Sequence, residues 1–221
     1  MKTITKNNNH IMRFLTAFLF SIISINSFAN DEASEVEKYI NDFGNQIISI
    51  ASDERYSTEY KKELLINLID DAVDANWMAK FVLARHYRTA SEEQKIRFKE
   101  LYRQFMINTY SPKFEGYGGE TFEITQISDQ GKYYIVKCLF FPKDSPEVKI
   151  DFRVRKSKDG SRYIILDIVA EGVSLIETQR SEFGSAINNS DLDTFLYDLE
   201  VRVKELKIQN GQLSANTISQ Q

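Results

Sequence analysis

Tyr163-Ile164-Ile165-Leu166-Asp167-Ile168-Val169-Ala170-Glu171-Gly172-Val173-Ser174-Leu175-Ile176 is the stretch that decides the fold. A nearly continuous apolar run, Tyr163 to Val169, breaks at a glycine and restarts with Ile176, Phe183 and Ile187 at i, i+7 and i+11, the spacing of one helical face. It predicts a strand that turns a corner into a helix. Three more strands precede it. Phe122 and Ile124 alternate with polar neighbours, Tyr133 to Phe141 is apolar on both faces, and Val148, Ile150, Phe152 and Val154 alternate with Lys149, Asp151, Arg153 and Arg155. The links Asp129-Gln130-Gly131, Lys143-Asp144-Ser145-Pro146 and Lys158-Asp159-Gly160 are short and turn-like, so neighbouring strands pair as antiparallel hairpins.

Helical spacing dominates on either side. Val36, Ile40, Phe43, Ile47 and Ile50 form one apolar face, and Tyr60, Leu64, Leu65, Leu68, Ile69 and Ala72 a broader one. A short helix is expected from about Asn76 to Arg88. Ser91 and Gln94 form a capping box ahead of a helix buried through Phe98, Leu101, Tyr102 and Phe105. A last helix carries Leu192, Phe195, Leu196, Leu199, Val203 and Leu206, with Ser190 as its expected N-cap. The fold class is therefore α+β, a curved antiparallel four-stranded meander wrapped by about six helices, with an apolar pocket between the layers.

The ends are read separately. Lys2, Lys6 and Arg13 precede an apolar run from Phe14 to Ile25, and Ser27-Phe28-Ala29 supplies small residues for cleavage, so residues 1–29 read as a secretory signal peptide cut after Ala29. The run is too short to cross a bilayer, which takes roughly 20 residues. Residues 30–208 form the domain, and 209–221 a polar, disordered tail. Removing Lys2, Lys6 and Arg13 leaves 25 basic against 32 acidic residues, a net charge of −7. Such a chain lacks the basic face that nucleic acid requires. Cys138 is the single cysteine, excludes an internal disulfide, and reads as a small buried hydrophobe.

Groups that could do chemistry are sparse. His10 lies in the signal and His86 at a helix end, without partners for a triad or a metal site. Asp167 or Glu171 could serve as a general base in a pocket, or Asp167 could face out or pair with a basic side chain such as Arg153 while Glu171 ties down the turn. Gly116-Tyr117-Gly118-Gly119 lacks the ending of a phosphate loop and reads as a turn. Apolar and aromatic side chains gather near the corners instead: Trp77, Phe81, Tyr110, Phe114, Tyr117, Val173, Leu175, Ile176 and Phe183. Taken singly, each reads as core.

Two segments together go further. Ala170 to Ile176, running on through Thr178 and Ser181-Glu182-Phe183, and Trp77-Met78-Ala79-Lys80-Phe81-Val82-Leu83-Ala84, followed by Tyr87 to Ser91, Gln94, Phe98 and Phe105, resemble the MlaC family, also called the toluene-tolerance or Ttg2D family. Tyr110, Tyr117, Gly119 and Phe122 extend the pattern, loosely over residues 36 to 207. The resemblance implies a periplasmic phospholipid carrier of an Mla-type system, without cofactor or enzymatic activity. It would exchange lipid between an outer-membrane lipoprotein complex and an inner-membrane ABC transporter and so maintain outer-membrane lipid asymmetry. It also implies that the corner residues above, with Phe152, line a lipid pocket. Where relatives commonly carry a proline near the end of the second helix and a glycine after the Val-Leu of the third, this chain has Val73 and Ala84. An enzyme of cone-like α+β fold acting on a hydrophobic substrate, or a periplasmic holdase or adaptor, are the alternatives.

Overall fold

The computed structural model describes residues 26–110, 112, 119–143 and 145–218, with side chains within 31–211. Helices α1 (Asn26–Ser52), α2 (Thr58–Ala72), α3 (Ala75–Leu83), α4 (His86–Thr89) and α5 (Glu92–Tyr110) come first. Strands β1 (Thr121–Asp129), β2 (Tyr134–Phe141), β3 (Val148–Lys156), β4 (Tyr163–Ala170) and β5 (Val173–Ser174) follow, then α6 (Leu175–Asn189) and α7 (Leu192–Ile218). The sheet is an antiparallel meander in the order β1-β2-β3-β4-β5.

The fifth strand is the corner itself. Glu171 and Gly172 both take positive φ, 49° and 80°, the arrangement of a type I′ hairpin turn, so Val173 pairs back on Ala170 before α6 begins. Glu171 pays for its left-handed backbone with two bonds to β3: its N–H donates to the Lys149 carbonyl at 2.9 Å and its carboxylate accepts the Lys149 N–H at 2.6 Å. The turn-tying role expected of Glu171 is the one it plays.

Local chemistry sets the helix ends. Ser91 and Gln94 cap reciprocally, Ser91 N–H to Gln94 Oε1 at 2.9 Å and Gln94 N–H to Ser91 Oγ at 3.2 Å. The N-cap of α7 is Asp191, whose carboxylate accepts the Thr194 N–H at 2.9 Å; the expected cap, Ser190, instead bonds back to the Ala186 carbonyl at 3.1 Å. α7 runs on to Ile218, past Ile208 where polar composition predicts a frayed tail, and Asn210 is buried. At the end of α2, the Val73 N–H donates to Ile69 at 3.1 Å while Val73 bridges Ile165 of β4. A proline there could not make that bond.

The helix expected over 76–88 is instead two, because Ala84 adopts φ 51° and ψ −118° and stops α3. Only glycine takes this conformation without cost, and a side chain there costs about 1–2 kcal/mol. Ala84→Gly should therefore raise stability by about 1 kcal/mol, despite the entropy glycine adds to the unfolded chain; urea denaturation checks this, and an unchanged or lower midpoint contradicts it.

Two apolar clusters result. In one, α3, α5, α6 and α7 pack around Phe98, Phe183 and Leu196. In the other, α1 and α2 lie on one face of the sheet through Val36, Ile40, Phe43, Val136 and Val154. α5 and α7 run side by side in the same direction, tied by Gln94 to Asp193 and Arg97 to Glu200, both at 2.8 Å.

Candidate functional site

Alternation along the strands decides what the sheet presents to α1. Tyr134, Val136 and Cys138 of β2 stand in register with Val154, Phe152 and Ile150 of β3, and Phe152 with Ile168 of β4, so one face is apolar across its centre. Lys137, Lys149, Asp151, Arg153 and Arg155 occupy the other parity. On the apolar face Val136 and Val154 are fully buried, whereas Phe122, Ile124, Ile127, Phe152 and Ile168 are only half-buried against the cluster. Phe152 meets Phe43 of α1 edge-on, with centroids 6.3 Å apart. Cys138 lies in this face, and burial pushes its thiol up to about 12. It is a packing residue, as the sequence reading expects.

Where a hollow between the layers is expected, α1 packs on the sheet face along a seam among the described residues. α1 carries its own apolar stripe onto the sheet and approaches so closely that a Cβ on Gly44 would sit 2.2 Å from the Phe122 ring. A cleft of about 470 Å³ opens along the β1 edge of this seam, between Ala33, Ser34 and Glu37 of α1 and Ile124 to Ile127 of β1. Its strand wall is distorted where the register shifts between Ile124 and Gln126, as bulges do at sheet edges.

The polar ties across the seam are weak. Lys156 reaches Glu32 at 3.1 Å and Glu35 at 3.5 Å, the Tyr163 hydroxyl donates to Glu35 at 2.8 Å, and these groups are largely exposed. Exposed pairs contribute about 0–1 kcal/mol each. α1 is thus held chiefly by apolar contact, which acyl chains can replace in kind.

The corner residues are dispersed. Ile176 and Phe183 are buried in the helical cluster, and Trp77 and Phe81 stack on each other at its margin, centroids 5.2 Å apart, with the Arg180 guanidinium 4.8 Å from the Phe81 ring. Tyr110 is half-buried beside Gln179, Leu175 is half-buried at the start of α6, and Val173 is 61 % exposed on β5. Phe152 alone among them lies on the sheet face beneath α1. Phe114 and Tyr117 fall outside the described residues. Sequence reasoning did not assign Phe43, Phe122, Val136 or Ile168 to a site. Their strand and helix periodicity was visible, but which face α1 covers depends on long-range packing.

Asp167 holds the corner. Its side chain is wholly buried, accepts from Ser174 Oγ at 2.6 Å and the Ile176 N–H at 3.3 Å, and lies 3.3 Å from Arg153, which also reaches Glu177 at 2.9 Å. Burial pushes its carboxyl above the usual range against the pull of those partners. Ser174, the Ile176 N–H and Arg153 together engage this carboxylate at the corner. Asp167→Ala strands the Ile176 N–H and should cost about 2–3 kcal/mol of stability, measured by chemical denaturation; a cost near zero contradicts the assignment. A second buried polar contact, the Tyr102 hydroxyl on Gln179 Oε1, joins α5 to α6 within the helical cluster.

His86 opens α4 beside Arg85, with no group of His, Cys, Asp or Glu placed to hold a metal among the described residues. No helix among them is long and apolar enough to cross a membrane. A model of the MlaC protein family matches residues 41–201. The intermembrane phospholipid transport system binding protein MlaC of Haemophilus influenzae is 18% identical over 144 residues, 64% of this chain and 67% of that protein. The phospholipid-binding protein from Ralstonia solanacearum, solved in complex with a phospholipid, aligns with a TM-score of 0.68 at 18% identity, over 77% of this chain and 98% of that one. At that identity the likeness carries the fold.

Proposed function

The chain belongs to the MlaC family, and on that premise we propose that it carries phospholipid through the periplasm, with the acyl chains held between α1 and the apolar sheet face. The demand on such a carrier is set by the tails. Each methylene left in water costs about 0.8 kcal/mol, so two bare chains of ordinary length cost on the order of 20 kcal/mol. The observation that carries the reading is a sheet face, centred on Val136, Phe152 and Val154, covered by a helix that apolar contact and exposed ion pairs chiefly hold in place among the described residues. Tails that slide in from the β1 edge replace α1's own stripe, so the apolar area hidden from water is conserved while α1 moves outward. One methylene is worth only about 1 kcal/mol or slightly more, so discrimination between chain lengths is weak.

Exchange with an outer-membrane lipoprotein complex and an inner-membrane ABC transporter of an Mla-type system would then need no chemistry on this chain, only docking that lifts α1. Cleavage after Ala29 leaves Ala33, Val36 and Ile40, the first α1 residues in the seam, in place; the intact mass of the exported protein checks the site. The carrier role itself is tested by native mass spectrometry of protein purified from its own periplasm. Phospholipid bound in stoichiometric amount is expected, and protein that carries no lipid mass contradicts the proposal.

A further inference from the structure

We propose that the polar cleft between the first turn of α2 and the far part of α7 binds a phosphate carried next to a primary ammonium, the chemistry of a phosphoethanolamine headgroup. As a lipid site it rests on the carrier reading above. The cleft has a volume of about 250 Å³ and is lined by Thr58, Glu59, Lys62, Asn108, Lys207 and Asn210. That lies below the ~300–1,000 Å³ of sites for drug-sized ligands, so it admits a headgroup and not two acyl chains.

Two amides hold its floor rigid. Asn108 and Asn210 are only 7% and 6% exposed; Asn210 Nδ2 donates to the Asn108 carbonyl at 3.0 Å and Asn108 Nδ2 to the Gln104 carbonyl at 2.7 Å. Over this floor stand two cations, neither of them in an ion pair among the described residues. The Lys207 ammonium donates to Gln104 Oε1 at 2.6 Å, a neutral acceptor, and Lys62 makes no side-chain hydrogen bond or ion pair among the described residues. Two such ammonium groups facing one cleft, in a chain of net charge −4, favour an anion that takes charge-assisted hydrogen bonds from both.

Glu59 refines the choice. It is the single carboxylate of the lining and is likewise unpaired among the described residues. A bare phosphate would be repelled by it, whereas a zwitterion places phosphate on Lys62 and Lys207 and ammonium on Glu59.

The test has two arms on the full exported chain. In the first, phosphoethanolamine, inorganic phosphate and ethanolamine are titrated while the Asn108 and Asn210 side-chain amide signals are followed by NMR. Phosphoethanolamine should shift both signals and bind about tenfold more tightly than phosphate, and Lys62→Gln with Lys207→Gln should weaken it about tenfold or more. In the second, the protein is loaded from vesicles of equal parts phosphatidylethanolamine and phosphatidylglycerol, and the bound headgroups are counted by mass spectrometry. A fall in the phosphatidylethanolamine share in the double variant, with total lipid unchanged, identifies the lipid headgroup as the source. An unchanged share alongside soluble binding assigns the cleft to the free compound. Amide signals that phosphoethanolamine does not move, or that phosphate moves equally well, overturn the proposal, and undiminished total lipid in that case leaves the carrier reading intact. Absence of lipid from the unaltered protein fails the carrier reading instead, and the first arm still decides the cleft.

Discussion

Phe152→Asp is expected to lower phospholipid occupancy by about a hundredfold or more, since an unpaired carboxylate facing hydrocarbon costs several kcal/mol. Phe152 lies on the sheet face beneath α1, in register with Val136 and Ile168 and edge-on to Phe43. It is only half-buried, so an aspartate there can keep water while the seam is closed, and the variant should fold with a stability loss of about 3 kcal/mol from the lost ring. Phe152→Leu, which keeps the surface apolar, should retain loading. Native mass spectrometry of both variants after vesicle loading makes the comparison. A folded Phe152→Asp protein that loads as fully as the unaltered chain contradicts the placement of the tails.

Phe98→Ala is expected to have the opposite profile, a large loss of stability with loading preserved. Phe98 is 0% exposed and touches three rings: Tyr102 stacked at 5.5 Å, and Phe183 and Phe195 each at 6.3 Å. Truncating a buried phenylalanine costs about 3–5 kcal/mol, and aromatic pairs lost with it add about 0.5–1.5 kcal/mol each. The helical cluster to which it belongs is scaffold, so at temperatures below the variant's own midpoint the protein should still take up lipid. Thermal denaturation and loading at low temperature measure the two effects separately. Unaltered stability with abolished loading would reverse the roles assigned to the two clusters.

The strands, their hairpin order and the α5 capping box were legible in the sequence because each is written in local chemistry: alternation over Val148 to Val154, glycine turns at Gly131 and Gly160, and Ser91 with Gln94. What was not legible depended on contacts distant in sequence. Ala84 lies inside an apolar helical pattern, and nothing local marks its left-handed backbone. The Glu171-Gly172 turn showed as a break, yet the pairing of Val173 with Ala170 needed the bond from Glu171 to Lys149. The site was the least legible. Trp77, Ile176 and Phe183 carried the family's pattern, but they belong to the helical cluster or its margin, because apolar side chains at helical spacing pack the same way whether or not a ligand lies nearby. Phe152 is read from the sequence as a pocket residue, and its neighbours Phe43, Val136 and Ile168 on the proposed face are not, since α1's choice of sheet face is a tertiary fact.

The central claim, that acyl chains lie between α1 and the sheet, is tested most directly by loading the protein with a phospholipid that carries a photoactivatable diazirine at the end of one tail and mapping the adducts by mass spectrometry. The account predicts adducts on the seam residues Val36, Ile40, Val136, Phe152 and Val154. Adducts confined to Phe98, Phe183 and Leu196 would place the tails inside the helical cluster and contradict it.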